Sequence, residues 1–231
     1  MKRSEINRII GEGVLFMKSL VYFFFPNEAY WDLRDWLNYK GDASERLKRG
    51  IGWDVTDFGL DNFKKEGLLS YVLTNGIIKD GIADQMYAEK YLIVGNGQIT
   101  PQHHHKSKIE DIVNMDGGNL KICLHSIGDL NPVKIFHNYE WIMYDSGTII
   151  TLKKNDRIRL DQNHDHEFLG EGMVFLKEIS SFNDDKEDNV FLDGRVDRFP
   201  KEIKEDEAPR YLLHTELPGT KKFEVLVRKW L

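Results

Sequence analysis

The spacing of apolar residues changes character near residue 67. Over residues 4–22 the apolar positions recur at roughly helical spacing, which predicts an amphipathic helix. The aromatic-rich stretch 27–50 predicts short helices joined by loops. Between residues 67 and 182 the apolar residues instead form short continuous or alternating runs, which is the pattern of β-strands. The chain is therefore predicted to begin with helices and to continue as sheet.

Turn residues divide the second part of the chain into at least six strands. Asn75-Gly76 and the Gly95–Gly97 segment have the composition of hairpin turns. After residue 182 the chain becomes acidic and loop-rich, and it ends with two strand candidates, 210–216 and 222–230. Many short strands at close spacing predict a mainly β sandwich or barrel. We expect one domain over 1–231, with a helical and loop extension, a barrel core, and an acidic loop with C-terminal strands (1–66, 67–182 and 183–231).

Composition and charge indicate which kinds of binding partner and which cellular compartment fit the protein. The net charge of −6 at pH 7 disfavours binding to nucleic-acid phosphates. The single cysteine, Cys123, leaves no intrachain disulfide and fits a reducing compartment. The most apolar stretch, 9–26, is interrupted by Glu12 and Lys18, so neither a signal peptide nor a membrane span is expected. We expect a cytoplasmic protein with no nucleic-acid partner and no membrane partner.

Three consecutive histidines lie after the Gly95–Gly97 turn. On a strand, residues two apart project from the same face, so His103 and His105 point together while His104 points away. Two imidazoles on one face are typical of a metal site, although a solvated histidine run would have the same sequence. Further ligands decide between these alternatives.

A lysine and a glutamate follow the histidines closely. Lys108 and Glu110 share a face with each other, but their parity differs from that of the histidines, so a turn or bulge at 106–107 has to redirect the chain. With that bend, Glu110 converges on the imidazoles, and the donor set suits Zn, Fe, Mn, Ni or Co. A fourth ligand would come from another strand, and the candidates are His125, His137, His164, His166 and His214.

The spacing of these residues resembles the first motif of the cupin superfamily. Gly97, His103, His105, Glu110 and Gly117 match that motif at each fixed position. The segment 155–168 resembles the second motif in a degenerate form, with the residues Asn155, Asp161, Asn163 and His166 at its fixed places. The resemblance implies a cupin double-stranded β-helix, or jelly-roll barrel, with the helical N-terminal extension outside it. It also selects His166 over its neighbour His164 as the fourth ligand.

Longer stretches resemble one family within that superfamily. The stretches are "GWDVTDFG", "YAEKYLIV", "QITPQHHHKSKIEDIVN", "EISSFNDDKEDNVF" and "RFPKEIKEDEAP". Together they look like the D-lyxose ketol-isomerases, which are metal-dependent sugar isomerases. The resemblance covers most of the chain, and it departs from the family where Asp161-Gln162-Asn163 replaces the usual Pro-Pro-Gly turn.

The resemblance implies a divalent metal and a set of site residues. The metal ligands would be His103, His105, Glu110 and His166, with Mn²⁺ as the expected ion and Zn²⁺, Fe²⁺ or Co²⁺ as alternatives. The catalytic residues would be Lys108, Glu110, Glu205 and Glu207. The residue types themselves, apart from the resemblance, make Lys90, Lys108, Trp53 and Asp184 the candidates for substrate binding. A solvated acidic loop or a packed N-terminal arm would use several of the same residue types.

The implied reaction interconverts free aldoses and ketoses by enediol proton transfer. The expected pairs are D-lyxose with D-xylulose and D-mannose with D-fructose, and the family resemblance also implies a homodimer. Two alternatives stay open at this point. The first is another cupin metalloenzyme, such as an epimerase or a dioxygenase. The second is a non-catalytic cupin that binds a sugar or a metal.

Overall fold

Four helices and two 3₁₀ turns surround a large sheet in the computed structural model, which describes residues 1–20, 25–79, 82–127, 132–162, 164–185 and 187–231. The α-helices are α1 (Arg3–Ser19), α2 (Leu33–Asn38), α3 (Ser44–Arg49) and α4 (Lys221–Trp230). The 3₁₀ turns are Asn27–Tyr30 and His214–Glu216. Within the described ranges, no helix has both the length and the apolar character that crossing a bilayer requires.

Thirteen strands are assigned within these described ranges. They are β1 (Gly52–Thr56), β2 (Leu68–Thr74), β3 (Ile78–Lys79), β4 (Ile82–Ala83), β5 (Tyr87–Val94), β6 (Ile99–His105), β7 (Glu110–Ser126), β8 (Val133–His137), β9 (Glu140–Tyr144), β10 (Ile149–Leu152), β11 (Arg157–Leu160), β12 (His164–Ser181) and β13 (Asn189–Phe191). The main sheet has the order β1-β2-β5-β12-β7-β11-β8-β9, while β10 pairs with β7, and β6 pairs with β12 and β13. β3 and β4 form a separate hairpin.

The long antiparallel pair of β7 and β12 is the centre of the molecule. Even-numbered residues of both strands, such as Ile122, Leu124 and Leu176, point into one buried apolar core. Because side chains alternate along a strand, the same inward face also carries the polar residues Glu110 and His166. The fold therefore directs a few ionisable side chains into the barrel interior.

The N-terminal helix covers the opposite face of this sheet. Ile6, Ile10 and Val14 of α1 are buried against outward-facing residues such as Tyr91 and Phe175. The predicted helix is thus present, although it begins at Arg3 and ends at Ser19. Its predicted last residues, 21 and 22, lie outside the described residues, as does Asn163 of the second cupin-like motif.

Two local predictions are wrong. The Gly95–Gly97 turn does not form a hairpin, because β5 and β6 run one after the other along the same strand, β12. The segments 210–216 and 222–230 are not strands, since the first contains a 3₁₀ turn and the second is helix α4. Phe223 and Leu226 are buried at helical spacing, and Thr220 accepts a hydrogen bond from the Phe223 amide as an N-cap.

Candidate active site

Three histidines from two paired strands meet inside the barrel. His103 and His105 lie on β6, and His166 of β12 is directly opposite His103 in the strand register. All three are buried, and each offers a ring nitrogen within 4.8 Å of those of the other two. His104 points to the other face of β6, where its Nδ1 lies 2.8 Å from a carboxylate oxygen of Asp165. The alternation of the strand thus separates the triplet as predicted.

A bend after β6 brings Glu110 back to the histidines. Asp188 holds this bend, because its carboxylate accepts hydrogen bonds from the amide and the hydroxyl of Ser107 at 2.8 and 2.7 Å. Its backbone carbonyl accepts a hydrogen bond from the amide of Lys106 at 2.9 Å. The chain therefore redirects at 106–107, and Glu110 begins β7 with its side chain inward.

The far nitrogen of each imidazole lies 2.8 to 3.1 Å from an oxygen atom. His103 Nδ1 lies 2.8 Å from the carbonyl of Pro101, and His166 Nδ1 lies 2.9 Å from the carbonyl of His164. A carbonyl only accepts hydrogen bonds, so both Nδ1 atoms carry the proton and both Nε2 atoms keep a lone pair. His105 Nδ1 lies 3.1 Å from the Asp188 carboxylate. This arrangement of outer partners is the one that orients metal-ligating histidines.

The inward nitrogens of two of the imidazoles face the carboxylate of Glu110. Glu110 Oε1 is 3.4 Å from His166 Nε2, and Glu110 Oε2 is 3.4 Å from His105 Nε2. Both Nε2 atoms are buried and have no hydrogen-bond partner within the described part of the chain. Lone pairs of nitrogen and oxygen repel each other at this distance unless a cation or a proton lies among them. Three imidazoles and a carboxylate therefore form a donor set that fits a divalent metal.

The charges around Glu110 keep it ionised. Burial raises the pKa of Glu110, but the ammonium of Lys108, 2.6 Å away, and the imidazole of His105 outweigh burial and hold the pKa well below its ordinary value. Burial lowers the pKa of Lys108, and the carboxylates of Glu110 and Glu178 outweigh that effect and raise it. Burial keeps the pKa of His103 well below its ordinary value, so this imidazole is neutral and able to bind a metal.

Beyond Lys108, a chain of charged side chains continues through the barrel. Lys108 Nζ donates to Glu178 at 3.1 Å, and Lys90 Nζ lies 3.7 Å from the same oxygen. Lys90 also donates to Asn183 at 2.7 Å and lies 3.5 Å from Asp185. Each lysine in this chain of contacts lies next to at least one carboxylate, so its positive charge is compensated.

One cavity touches both the histidines and this charged chain. The polar residues lining it are Ser70, Lys90, Thr100, His103, His105, Lys108, Glu110, Glu178, Asp185, Asn189 and Arg198. A cation at the histidines would thus share a space with two lysines, an arginine and two further carboxylates. Such a site is able to polarise an oxygen atom and to move protons beside it.

Comparison with known proteins identifies the family. The family model described as D-lyxose isomerase matches residues 1–217. The chain belongs to the D-lyxose isomerase family. It is 34% identical over 229 residues to the D-lyxose/D-mannose isomerase of Escherichia coli O157:H7, covering 94% of this chain and 98% of that protein. It is 32% identical over 225 residues to the enzyme of the same name from Serratia proteamaculans, covering 92% and 96%.

Solved structures share the fold of this D-lyxose isomerase family member. An L-ribose isomerase of Acinetobacter sp. DL28 in complex with L-ribose has a TM-score of 0.58 at 16% identity, covering 88% of this chain and 98% of that chain. The L-ribose isomerase of Cellulomonas parahominis with L-psicose has a TM-score of 0.57 at 15% identity, covering 88% and 98%. The predicted mainly β fold with a helical N-terminal extension is confirmed.

Two acidic residues that the sequence placed in catalysis lie elsewhere. Glu205 accepts hydrogen bonds from Arg3 at 2.7 and 2.8 Å. Glu207 accepts one from Asn7 at 2.7 Å. Both therefore hold helix α1, and neither lines the cavity at the histidines. The acidic segment of this D-lyxose isomerase family member therefore binds helix α1 to the C-terminal part of the chain. These contacts join residues about 200 positions apart, so they are not visible in the linear sequence.

Two predicted substrate-binding residues also lie outside the cavity. Trp53 is 2% exposed, and its indole N–H donates to the carbonyl of Ala29 at 2.7 Å, so it is part of the core beneath α1. Asp184 accepts a hydrogen bond from the Glu187 amide at 3.2 Å and borders a separate surface cavity. The next residue, Asp185, is the one that reaches the site.

Three charged residues of the cavity, Glu178, Asp185 and Arg198, are absent from the predicted site residues, and two of them had a detectable signal. Glu178 lies on the inward face of β12, in step with Leu176, and a carboxylate at a core position of a strand is a candidate for function. Asp185 follows Asp184 directly, in a stretch already singled out. Arg198 lies in a segment without regular structure, so no periodicity predicts its direction.

Proposed function

We propose that this chain isomerises free D-lyxose to D-xylulose, and D-mannose to D-fructose, with a divalent metal held by His103, His105, Glu110 and His166. The observation that carries the proposal is the convergence of buried, unpartnered Nε2 atoms on one carboxylate inside the barrel. The names of the relatives from Escherichia coli O157:H7 and Serratia proteamaculans support the choice of sugars.

The mixed imidazole and carboxylate donor set is compatible with Mn²⁺, which we propose as the ion, and also with the alternatives Zn²⁺, Fe²⁺ and Co²⁺. His103, His105, Glu110 and His166 would hold it. When bound, the cation supplies Lewis acidity that stabilises negative charge on O1 and O2 of the sugar.

Lys108 moves the hydroxyl proton in this proposal. The isomerisation transfers one proton from O2 to O1, and a buried ammonium is able to give a proton to O1 and then, as the neutral amine, to take the proton of O2. Lys108 lies 2.6 Å from Glu110, so it is next to the proposed metal ligands. Its paired carboxylates keep it charged between turnovers.

Glu178 moves the carbon-bound proton. It takes the proton from C2 of the aldose and returns it to C1, so its carboxylate is regenerated and the atoms balance. Glu178 is 5% exposed and lies 3.1 Å from Lys108, so both proposed proton carriers face the same cavity. This assignment replaces Glu205 and Glu207, whose carboxylates are engaged with α1.

The charge balance of the cavity favours a neutral sugar over a phosphorylated one. Lys90, Lys108 and Arg198 each lie against a carboxylate, at 3.5, 2.6 and 2.5 Å. A phosphate would have to displace one of these carboxylates, because binding it requires unpaired positive charge. Hydroxyl groups, in contrast, insert into such a network without changing its charge.

The test is conversion of D-lyxose by protein loaded with a single metal. We expect ketose, detected by colorimetry, after loading with Mn²⁺, and none from protein stripped with a chelator. In deuterated water label should enter C1 of D-xylulose, because the proton held by Glu178 exchanges with solvent before it is returned to C1, whereas a direct hydride shift would carry no label. Absence of turnover with each of Mn²⁺, Co²⁺, Fe²⁺ and Zn²⁺, together with tight sugar binding, would instead favour a non-catalytic sugar-binding protein.

A further inference from the structure

Arg198 carries a buried hydrogen-bond donor that has no partner. Its Nη1 atom is shielded from solvent and makes no hydrogen bond within the described ranges of the chain. Most buried donors in folded proteins are satisfied, so an orphaned guanidinium N–H requires an explanation. Arg198 lines the cavity that contains His103, Lys108 and Glu178, and is therefore positioned beside the proposed site.

The rest of the guanidinium is firmly held. Arg198 Nη2 donates to Asp54 at 2.5 Å, and Nε donates to Asp185 at 3.3 Å. The guanidinium carbon lies 5.3 Å from the ring centre of Phe199. These three contacts fix the orientation of the planar guanidinium group. They leave Nη1 as the nitrogen without a hydrogen-bond partner among the described residues.

A second unpartnered group faces the same cavity. Thr100 Oγ1 is buried and likewise makes no hydrogen bond in the part of the chain that the structure describes. Since the charges of Arg198 are already matched by Asp54 and Asp185, the missing partner of Nη1 is a neutral acceptor. A sugar hydroxyl is such an acceptor, and it is able to donate its own hydrogen to a neighbouring oxygen.

We propose that Arg198 is a substrate-specificity residue whose Nη1 donates a hydrogen bond to one of the hydroxyls on C3 to C5 of the sugar. This inference rests on the proposed function, because it assigns a contact to the same substrate. Asp54 and Asp185 act as positioning residues, since they aim the guanidinium and do not themselves define the contact. The site discriminates against a sugar without that hydroxyl, because such a sugar leaves the buried, charged N–H donor of Arg198 unpaired.

The test compares D-lyxose with its 3-, 4- and 5-deoxy analogues on the metal-loaded enzyme and its Arg198→Lys variant. Lysine keeps the charge and loses the fork, so we expect kcat/KM for D-lyxose to fall about 10- to 100-fold, mainly through KM. For one deoxy sugar, the enzyme and the variant should have the same kcat/KM, because the contact is already missing. Arg195→Met, at an exposed arginine only three positions away, is the matched control and should behave as the unmodified enzyme.

The outcomes of this comparison, together with one further measurement, distinguish failure of the inference from failure of the proposed function. An equal loss for all four sugars would indicate a purely structural role for Arg198 and overturn the inference, as would no loss for any of them. Absence of D-lyxose turnover by the unmodified enzyme would instead contradict the proposed function. If Arg198→Lys does not fold, a crystal of the unmodified enzyme with D-lyxose decides. Nη1 within hydrogen-bond distance of a sugar hydroxyl supports the inference, and Nη1 bound to water or protein excludes it.

Discussion

Arg3 and Glu216 form a buried, two-pronged ion pair, with nitrogen–oxygen distances of 2.9 and 2.6 Å, although they are 213 positions apart in the chain. Neither side chain is exposed to solvent. A buried pair of this kind is costly to break from one side, because the partner is left as an unpaired charge. The pair therefore fastens the N-terminal helix to the last part of the chain.

Arg3→Met should destabilise the protein by about 3–5 kcal/mol, because Glu216 loses its buried counter-charge and keeps only the half-exposed ammonium of Lys222, at 3.6 Å. Urea denaturation followed by circular dichroism measures the change. Arg8→Met is the matched control, since Arg8 pairs with Glu12 on the exposed face of the same helix. Equal midpoints for the two variants would show that burial of the pair adds nothing to stability.

His103→Ala should abolish metal binding and turnover together, whereas His104→Phe should keep both. The reason is the alternation of β6, which directs His103 into the barrel and His104 toward Asp165 on the other face. Elemental analysis of dialysed protein gives the metal content, and activity is measured on the same samples. Loss of metal from His104→Phe would mean that the strand register described above is incorrect.

The histidine centre was predictable from sequence because strand alternation and spacing act locally. His103, His105 and Glu110 lie within eight residues, so one strand and one bend determine their meeting. The bend itself was predicted from parity alone. The choice of His166 over His164 came from the family resemblance, and the pairing of His166 with His103 agrees with it.

The C-terminal part was not predictable from pattern. The sequence "FEVLV" alternates in the manner of a strand, yet Phe223 and Leu226 are three apart and bury one side of a helix. Part of the decisive contact is with Leu33 and Trp36 of α2, which are nearly 200 positions away in the chain, and periodicity within the segment does not reveal such partners. The same limit explains why Glu205 was assigned to catalysis: its partner, Arg3, is at the other end of the chain.

Lys108→Met should retain the metal and lower kcat by at least about 100-fold, because it removes a proposed proton carrier and leaves the four ligands in place. Steady-state kinetics and metal analysis together measure this. Lys106→Met, at an exposed lysine on the same bend, is the control and should leave kcat unchanged. Loss of metal from Lys108→Met would instead assign the lysine to holding Glu110 in position.

Glu178→Gln should lower kcat by about 10²- to 10⁴-fold, because an amide does not carry a proton between C2 and C1. Glu207→Gln should keep kcat, since the amide oxygen of glutamine is still able to accept the hydrogen bond from Asn7. Exchange of the C2 hydrogen with deuterated water, followed by nuclear magnetic resonance, gives a second measurement. The opposite pattern, with Glu207→Gln inactive and Glu178→Gln active, would restore the catalytic role predicted from sequence.

Asp206 should make stability depend on pH, because it caps the first turn of α1 from a distant part of the chain. Its carboxylate accepts hydrogen bonds from the hydroxyl and the amide of Ser4 at 2.6 and 2.9 Å, and these hydrogen bonds lower its pKa. The folded pKa is thus below the unfolded value of about 3.9, so the stabilisation is present above that pH and is lost as the pH falls further. We expect Asp206→Asn to be less stable than the unmodified protein at pH 7, with a difference that narrows below about pH 4. Urea denaturation at several pH values measures this, and a difference that stays constant down to pH 3 would contradict the role of the ionised cap.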